Sequence, residues 1–477
     1  MVQAMFKGSW IISGLVGCLL AAPPLSAQTR EVGRLYAENC AGCHGRDLEG
    51  GQTTSLLDDD WRYGGDDASI ARVIREGAES EGMPPWKGML SESEIRTLVV
   101  FIREKAEQAR QRAAKTPKPL DHQVVHSREH AFRLRSVAEN LATPWSVAFL
   151  PDGRMLVTEL PGHLRFIEGE KVSPPVAGTP RVRAQGQGGL MEVALHPGYP
   201  TNAWIYLSFA EAGTNAQTRD GGMTVVVRGR IRDQRWVDEQ TIFRAPLWSY
   251  RSGGVHLGSR FVFDETGHLF FSIGERGQMH DAQDLSRPNG KVHRVFDDGR
   301  IPPDNPFVGV SNAMASIWSY GHRNPQGLAR HPLTGELWST EHGPRGGDEL
   351  NLIRKGLNYG WPIITYGMNY NGTPITSLTE KEGLEQPILH WTPSIAVCGI
   401  AFYQGDKFPR WKHHLFVTAL AQEELRRLVL DGHRVVEQEV LFKNIGRVRH
   451  VASGPDGLIY VVFNKPDRVA RLEPVSE

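Results

Sequence analysis

The stretch Trp145-Ser-Val-Ala-Phe-Leu-Pro-Asp-Gly-Arg-Met-Leu-Val-Thr158 runs an apolar strand into an Asp-Gly turn and out into a second apolar strand. Five further stretches repeat that plan. They are Glu192-Val-Ala-Leu-His-Pro197 continuing to Ile205-Tyr-Leu-Ser-Phe209, Arg260-Phe-Val-Phe-Asp-Glu-Thr-Gly-His-Leu-Phe-Phe-Ser272, Gly327-Leu-Ala-Arg-His-Pro-Leu-Thr-Gly-Glu-Leu-Trp-Ser339, Gly399-Ile-Ala-Phe-Tyr403 continuing to His414-Leu-Phe-Val-Thr418, and Val451-Ala-Ser-Gly-Pro-Asp-Gly-Leu-Ile-Tyr-Val-Val462. Asp-Gly and Thr-Gly at the tips supply the positive φ that tight hairpins need. Most units lead to a third strand ending in a charged turn, such as Arg165-Phe-Ile-Glu-Gly169 or Arg427-Leu-Val-Leu-Asp-Gly432. One hairpin buries too little to stand alone, so six of them predict an all-β, six-bladed β-propeller packed radially around a channel. A large β-sandwich with coincidental turns is the alternative. Propellers concentrate function in the loops at one mouth of the channel.

Outside the repeat, composition narrows the function classes. The 477 residues carry 54 Lys+Arg against 54 Asp+Glu, and a net charge of zero argues against a nucleic-acid binder. The mean hydropathy of −0.36 argues against a polytopic membrane protein. The 51 Gly and 30 Pro, with 12 Trp, suit short strands joined by turns. Four Cys are too few for a disulfide scaffold. Residues 1–27 read as a signal peptide: Lys7, an apolar run from Ile11 to Ala22 and the small-residue site Leu25-Ser-Ala27 predict export to a periplasm or the cell exterior. Leu15-Val-Gly-Cys18 looks like a lipoprotein box, so a lipid anchor at Cys18 is the alternative. The apolar run continues past Cys18, which favours cleavage after Ala27. No transmembrane segment is expected in the mature chain.

Residues 28–112 predict a small all-α domain. Glu31 to Asn39 is helical, and Glu92 to Arg112 is a helix opened by the capping box Ser91 and Glu94, with Ile95, Leu98, Val99 and Ile102 at helical spacing. Between them lies Cys40-Ala-Gly-Cys43-His44. Two thiols three apart can each add across a haem vinyl group, and the adjacent His44 can ligate the iron, so the motif predicts one covalent haem c. A zinc site would want further Cys or His nearby, and none follows. Met83, in Gly82-Met-Pro-Pro85, is the expected sixth ligand, with Met89 its rival. As a whole this domain resembles a class I cytochrome c, in which Gly33 and Tyr36 would cross Leu98 and Phe101. Residues 113–130, with Pro117 and Pro119, read as a linker to a propeller over 131–477.

Four stretches of the second domain carry a family resemblance: Gly186-Gln-Gly-Gly-Leu-Met-Glu-Val-Ala-Leu-His-Pro197, Tyr320-Gly-His-Arg-Asn-Pro-Gln-Gly-Leu328, Glu341-His-Gly-Pro-Arg-Gly-Gly-Asp-Glu-Leu-Asn-Leu352 leading into Asn358-Tyr-Gly-Trp-Pro362, and His390-Trp-Thr-Pro-Ser-Ile395. They resemble the soluble aldose and glucose dehydrogenases that depend on pyrroloquinoline quinone (PQQ) and calcium. The resemblance implies His256 as general base and Arg323 and Asn324 beside the quinone and its developing charge. It also implies Arg447 and Arg449 on the PQQ carboxylates, where the planar guanidinium fork suits the geometry, and Gln187 as a sugar contact. The carbonyls of Gly343 and Pro344 would hold the catalytic calcium, with Glu349 and the Tyr359 carbonyl on a second calcium. One departure stands out: where the family has a Lys on PQQ, the stretch Val417-Thr-Ala-Leu-Ala-Gln-Glu423 places Ala421, leaving Gln422 or Lys443 as possible substitutes. Cys398 replaces a commonly small or Pro position and is either an inert buried thiol or an oxidation-sensitive one.

Together these expectations describe an exported quinohaemoprotein. An aldose would be oxidised at its anomeric carbon to a lactone, with electrons passing through PQQ and haem to a periplasmic acceptor such as a cytochrome, a cupredoxin or an oxidase. An electron-transfer or binding protein with an inactive propeller, and a calcium-dependent propeller hydrolase, are the rival classes; the hydrolase leaves the haem motif unexplained. Residues 31–115 hold 16 acids against 12 bases while the propeller is near neutral, so only weak, mobile docking between the domains is expected.

Overall fold

The computed structural model describes residues 30–113, 123–215, 218 and 220–475. The expected signal peptide, Cys18 and residues 114–122 of the linker lie outside the described residues. The β region forms six antiparallel sheets of four or five strands. Each repeat unit supplies the first two strands of one sheet, as Pro144–Phe149 and Met155–Glu159 do in blade 1. Blade 2 begins at Leu190–Leu195, blade 3 at Phe261–Phe263, blade 4 at Pro325–Arg330, blade 5 at Val397–Phe402 and blade 6 at Arg447–Ser453. These six first strands neighbour one another in sequence order and close the ring from blade 6 back to blade 1.

Closure is made by strand pairing between the two ends of the domain. Ala131–Ala138 pairs antiparallel with Arg468–Pro474, the third strand of blade 6, placing Phe132 opposite Pro474 and Leu134 opposite Leu472. Val124–His126 then pairs with Ala131–Ala138. That strand falls within the stretch read as linker: too short to show a hydrophobic period, it is held by the free edge of Ala131–Ala138. Apolar faces of neighbouring blades interlock between the sheets, as Trp411, Phe416 and Phe442 of blade 5 do with Phe132, Val448 and Phe463 of blade 6.

The channel is plugged by one side chain. Arg260, 2% exposed, projects from the start of blade 3 and touches every other blade. Its guanidinium donates to the Glu192 carboxylate at 2.8 Å, the Gln326 carbonyl at 2.6 Å, the Arg449 carbonyl at 2.9 Å and His450 Nδ1 at 2.9 Å, with Cys398 Sγ at 3.7 Å. It lies 3.9 Å over the ring of Trp145.

The N-terminal domain packs α1 (Val32–Asn39), α2 (Ala41–His44), α3 (Asp67–Glu76) and α4 (Glu92–Ala113) around an apolar cluster that includes Leu35, Ile70, Leu98 and Val99. The capping box forms as expected: the Ser91 amide donates to Glu94 at 2.9 Å and the Glu94 amide to Ser91 Oγ at 3.3 Å. Tyr36 and Phe101 meet with ring centroids 5.4 Å apart. Gly33 serves a local need as well, since a Cβ there would lie 3.1 Å from the capping carboxylate of Glu31. No helix of the described residues is long and apolar enough to cross a membrane.

The two domains dock more tightly than their net charges suggest. Arg96, Val100, Glu104, Glu107 and Gln111, spaced three or four apart, share one face of α4. Arg96 donates to the Tyr366 carbonyl at 2.8 Å, Glu104 pairs with Arg345 at 2.7 Å, Glu107 pairs with Lys443 at 3.2 Å, and Gln111 bonds Gln422. Val100 faces Gly346, where a Cβ would come within 2.6 Å of it and where φ is +86°, so only glycine allows this approach. Met368 of blade 4 is fully buried in the cytochrome's apolar cluster. Charge totals miss this attraction because it comes from local pairs.

Replacing Arg260 leaves Glu192 buried without its partner. Arg260→Met is expected to lower propeller stability by about 3–5 kcal/mol, read as a reduced denaturant midpoint, whereas Leu333→Ala at an exposed turn stays within about 0.5 kcal/mol.

Candidate active site

In an antiparallel blade the start of the first strand and the end of the second lie on the same side, and the expected site residues cluster there. Gln187 precedes blade 2, His256 precedes blade 3, Arg323 and Asn324 precede blade 4, and Arg447 and Arg449 open blade 6. Gly343, Pro344 and Glu349 lie at and just beyond the turn that follows the second strand of blade 4, Leu337–Glu341. Five of the six first strands shift register near this end, as between Pro325 and Gly327 or Val448 and His450. Such bulges re-aim side chains into the mouth.

His256 sits in a left-handed turn, φ +51°, a conformation that costs energy outside glycine and recurs at functional sites. Its amide donates to Gln187 Oε1 at 2.9 Å. Its Nδ1 bonds the carboxylate of Glu275, which is 2% exposed. A carboxylate can only accept, so Nδ1 carries the proton and Nε2 keeps its lone pair. Burial holds the His256 imidazolium below its ordinary range; the bond to Glu275 opposes that shift and Arg323 adds to it. Glu275 is a residue that sequence reasoning missed. Its only signal is its place in Gly274-Glu-Arg276, directly after the second strand of blade 3.

The Glu275 amide donates to the Arg323 carbonyl at 2.9 Å, tying the histidine to the next loop. The Arg323 guanidinium, 5% exposed, donates to the carbonyls of His342 at 3.0 Å and Gly343 at 2.6 Å. Asn324 accepts from the Gly258 amide at 3.1 Å, while its buried Nδ2 has no partner among the described residues, and neither has His342 Nε2. Buried donors of this kind fit a bound polar group better than an apolar core.

One small cavity collects Gly343, Pro344, Glu349 and Tyr359, the four residues expected at calcium, together with Arg323 and Glu341. Asn351 Nδ2 bridges Glu341 and Glu349, donating to each at 3.0 Å. Burial and then the nearby Glu341 push the Glu349 carboxyl well above the ordinary carboxylate range. The buried Glu341 and the partly buried Glu349 in one cavity offer carboxylate oxygens, the donor type suited to a hard cation. Sequence reasoning did not single out Glu341.

Arg447 and Arg449 have no carboxylate partner among the described residues. Arg449 is held by neutral groups, Gln326 Oε1 at 3.3 Å, Asn464 Oδ1 at 3.4 Å and Cys398 Sγ at 3.5 Å. Two guanidiniums without a counter-charge at one mouth fit an anionic ligand. Cys398 is fully buried between Arg449 and Arg260. Ala421 is exposed in the turn after blade 5's second strand. Both candidate substitutes for the missing Lys are engaged by α4, Gln422 by Gln111 and Lys443 by Glu107.

In the helical domain Cys40 is half-buried and Cys43 exposed, both as free thiols. Burial depresses the His44 imidazolium, and its Nδ1 is buried without a partner among the described residues. Met83 is half-buried against the apolar cluster beside Leu56, Trp61 and Trp86, whereas Met89 is 59% exposed. The Met83 loop is closed by Ala78 N donating to the Met83 carbonyl at 2.9 Å and Met83 N to the Ala78 carbonyl at 3.1 Å, and it is clipped to α3 by Trp86 N on the Ile74 carbonyl at 3.2 Å and Lys87 N on the Arg75 carbonyl at 3.0 Å. The half-buried Met83 and Cys40 and the unpartnered His44 Nδ1 line an apolar cluster of a kind that suits a flat, apolar prosthetic group.

Both regions of the chain match known families. Residues 141–471 match the family described as Glucose / Sorbosone dehydrogenase, and residues 27–102 match the family described as Cytochrome C oxidase, cbb3-type, subunit III. An aldose sugar dehydrogenase of Escherichia coli is 44% identical over 334 residues, covering 69% of this chain and 88% of the relative. The PQQ-bound structure of an aldose sugar dehydrogenase from Streptomyces coelicolor superposes with a TM-score of 0.58 at 27% identity, covering 72% of this chain and 98% of that one. A cbb3-type cytochrome c oxidase subunit of Azorhizobium caulinodans is 36% identical over 85 residues, which are 17% of this chain and 29% of the relative.

The carboxylate cavity predicts that calcium stabilises the protein. Adding calcium to chelator-treated protein is expected to raise Tm, and Glu349→Gln is expected to shrink that rise, both measured by calorimetry.

Proposed function

The chain belongs to the glucose/sorbosone dehydrogenase family, and we propose that it is an exported quinohaemoprotein that oxidises aldose sugars at the anomeric carbon to lactones. The observation that carries this reading is the buried Glu275 bonded to His256 Nδ1, one hydrogen bond from Arg323 at the channel mouth. When bound, PQQ supplies the acceptor for a hydride, calcium the adjacent Lewis acid, and a single covalent haem c the one-electron relay toward a periplasmic acceptor.

His256 Nε2 takes the proton of the anomeric hydroxyl, while the hydrogen on the same carbon leaves as hydride. Glu275 fixes the tautomer and orientation and stabilises the imidazolium that forms. Gln187, bonded to the His256 backbone, stands where it can orient the sugar. Arg323 and Asn324 face the charge that develops on the quinone. Arg447 and Arg449 bind the PQQ carboxylates. The carbonyls of Gly343 and Pro344 hold the catalytic calcium, and Glu349 with the Tyr359 carbonyl holds a second. Cys40 and Cys43 carry the haem, with His44 and Met83 on the iron. The propeller begins with the strand at 124 and the cytochrome ends near 113, so a short linker joins them. Ala421 favours a second reading, a haem protein whose propeller has lost PQQ, because no Lys takes the missing place.

Mixing the haem protein with calcium, PQQ and a panel of aldoses separates the two readings. Sugar-driven haem reduction, seen in the visible absorption, supports the dehydrogenase; no reduction by any aldose with excess PQQ rejects it. His256→Ala is expected to slow this reduction by about 10²–10⁴ while reduction by dithionite is unchanged. A general base works only when neutral, so activity is lost as pH falls through the His256 pKa, which lies below the ordinary imidazole range. Because Glu275 raises that pKa, Glu275→Gln is expected to move the acid limb of kcat/KM to still lower pH and to reduce kcat.

A further inference from the structure

We propose that the blade 4 loop 366–374 is the electron bridge between the propeller site and the haem domain, running from Tyr370 through Gly372 to Val32 and along α1 to Cys40. The inference rests on the dehydrogenase reading, which supplies the electrons.

The bridge begins above the site. Tyr370 is 73% exposed, and its ring centroid lies 5.9 Å from the Arg323 guanidinium. Two residues on, the Gly372 carbonyl accepts from the Val32 amide of the cytochrome at 3.0 Å. Gly372 has φ +79°, and a Cβ there would fall 2.8 Å from Glu31 and 3.1 Å from Val32, so glycine is what lets the domains come this close. Met368, buried in the cytochrome cluster, anchors the same loop.

From Val32 the path stays in bonded contact. The α-helical ladder of α1 links the Val32 carbonyl to the Tyr36 amide, and the Tyr36 carbonyl accepts from the Cys40 amide at 2.8 Å. Cys40 bears the first haem thioether. Three hydrogen bonds and the intervening covalent bonds thus span from the loop to the haem with no gap to cross. The other contacts, such as Arg345 with Glu104, enter α4, which carries neither a thioether cysteine nor an expected iron ligand. Sugar oxidation releases two electrons and two protons. Each passage moves one electron from the reduced quinone to ferric haem, giving ferrous haem; the protons leave to solvent. A one-electron acceptor must reoxidise the haem before the second passage.

Val32→Pro removes the bridging N–H, and Val32→Ala, which keeps that N–H, controls for the change in the buried side chain and is expected to keep the fast phase of haem reduction. Val32 is the first residue of α1, where proline is favoured, and Glu31 at φ −69°, ψ 136° has the extended backbone a following proline requires. In rapid mixing of the PQQ- and calcium-loaded full chain with sugar, Val32→Pro is expected to lose that fast phase. Reduction of a diffusible dye by the propeller, and the haem midpoint potential, stay at wild-type values. Gln111→Ala, elsewhere in the interface, keeps the fast phase. A fast phase retained in Val32→Pro, or lost equally in Val32→Ala or Gln111→Ala, would overturn the bridge. Failure of sugar to reduce dye or haem in the wild type would instead reject the dehydrogenase reading. Amide hydrogen exchange gives a readout that needs no PQQ: the Val32 amide, an orphan in a lone helix, is expected to be protected in the wild type, and exchange at an unprotected rate would falsify the bond.

Discussion

The guanidinium of Arg260 is the contact on which the rest of this molecule depends. The first strands of the six blades converge around the centre of the ring. One long, permanently charged fork reaches Glu192, Gln326, Cys398, Arg449, His450 and the face of Trp145 at once. A buried charge is stable only when paired and fully hydrogen-bonded, so the plug forms only when all six blades are in place. The strand pairing of residues 131–138 with 468–474 keeps them there.

The candidate site inherits its precision from that closure. Gln187, His256, Arg323 and Arg447 come from four different junctions between blades and meet only because the first strands do. The electrostatics are divided between neighbouring pockets. Glu341 and Glu349 share one cavity, where Glu341 accepts from His322, the Arg323 amide and Asn351, whereas Arg447 and Arg449 have no carboxylate partner among the described residues.

The helical domain adds a second consequence of local chemistry. Its acidic excess predicted weak attraction to a neutral propeller, yet Glu104 and Glu107 each find a basic partner, and Gly346 and Gly372 admit backbone contact that charge counts do not describe. Lys443 and Gln422, which could have faced the propeller site, are drawn to α4 instead. The missing Lys at position 421 is therefore not replaced from within this loop.

The sequence by itself determined the blade count, the Cys-Ala-Gly-Cys-His motif and the capping box of α4, because each is written in residues adjacent along the chain or repeated at a local period. Arg323 and Glu349 lie in multi-residue stretches that resemble a family, and the same resemblance implied His256 and Arg447 as site residues. The rest was not legible, because it depends on contacts between residues far apart in the chain. Glu275 meets His256 across 19 positions, Val32 meets Gly372 across 340, and Arg260 meets His450 across 190. The strand at 124–126 has no pattern of its own and exists because an edge awaits it. Tertiary structure alone decided which carboxylate holds the histidine, where charge goes uncompensated and how the domains touch, since hydrogen bonds and burial depend on distance in space.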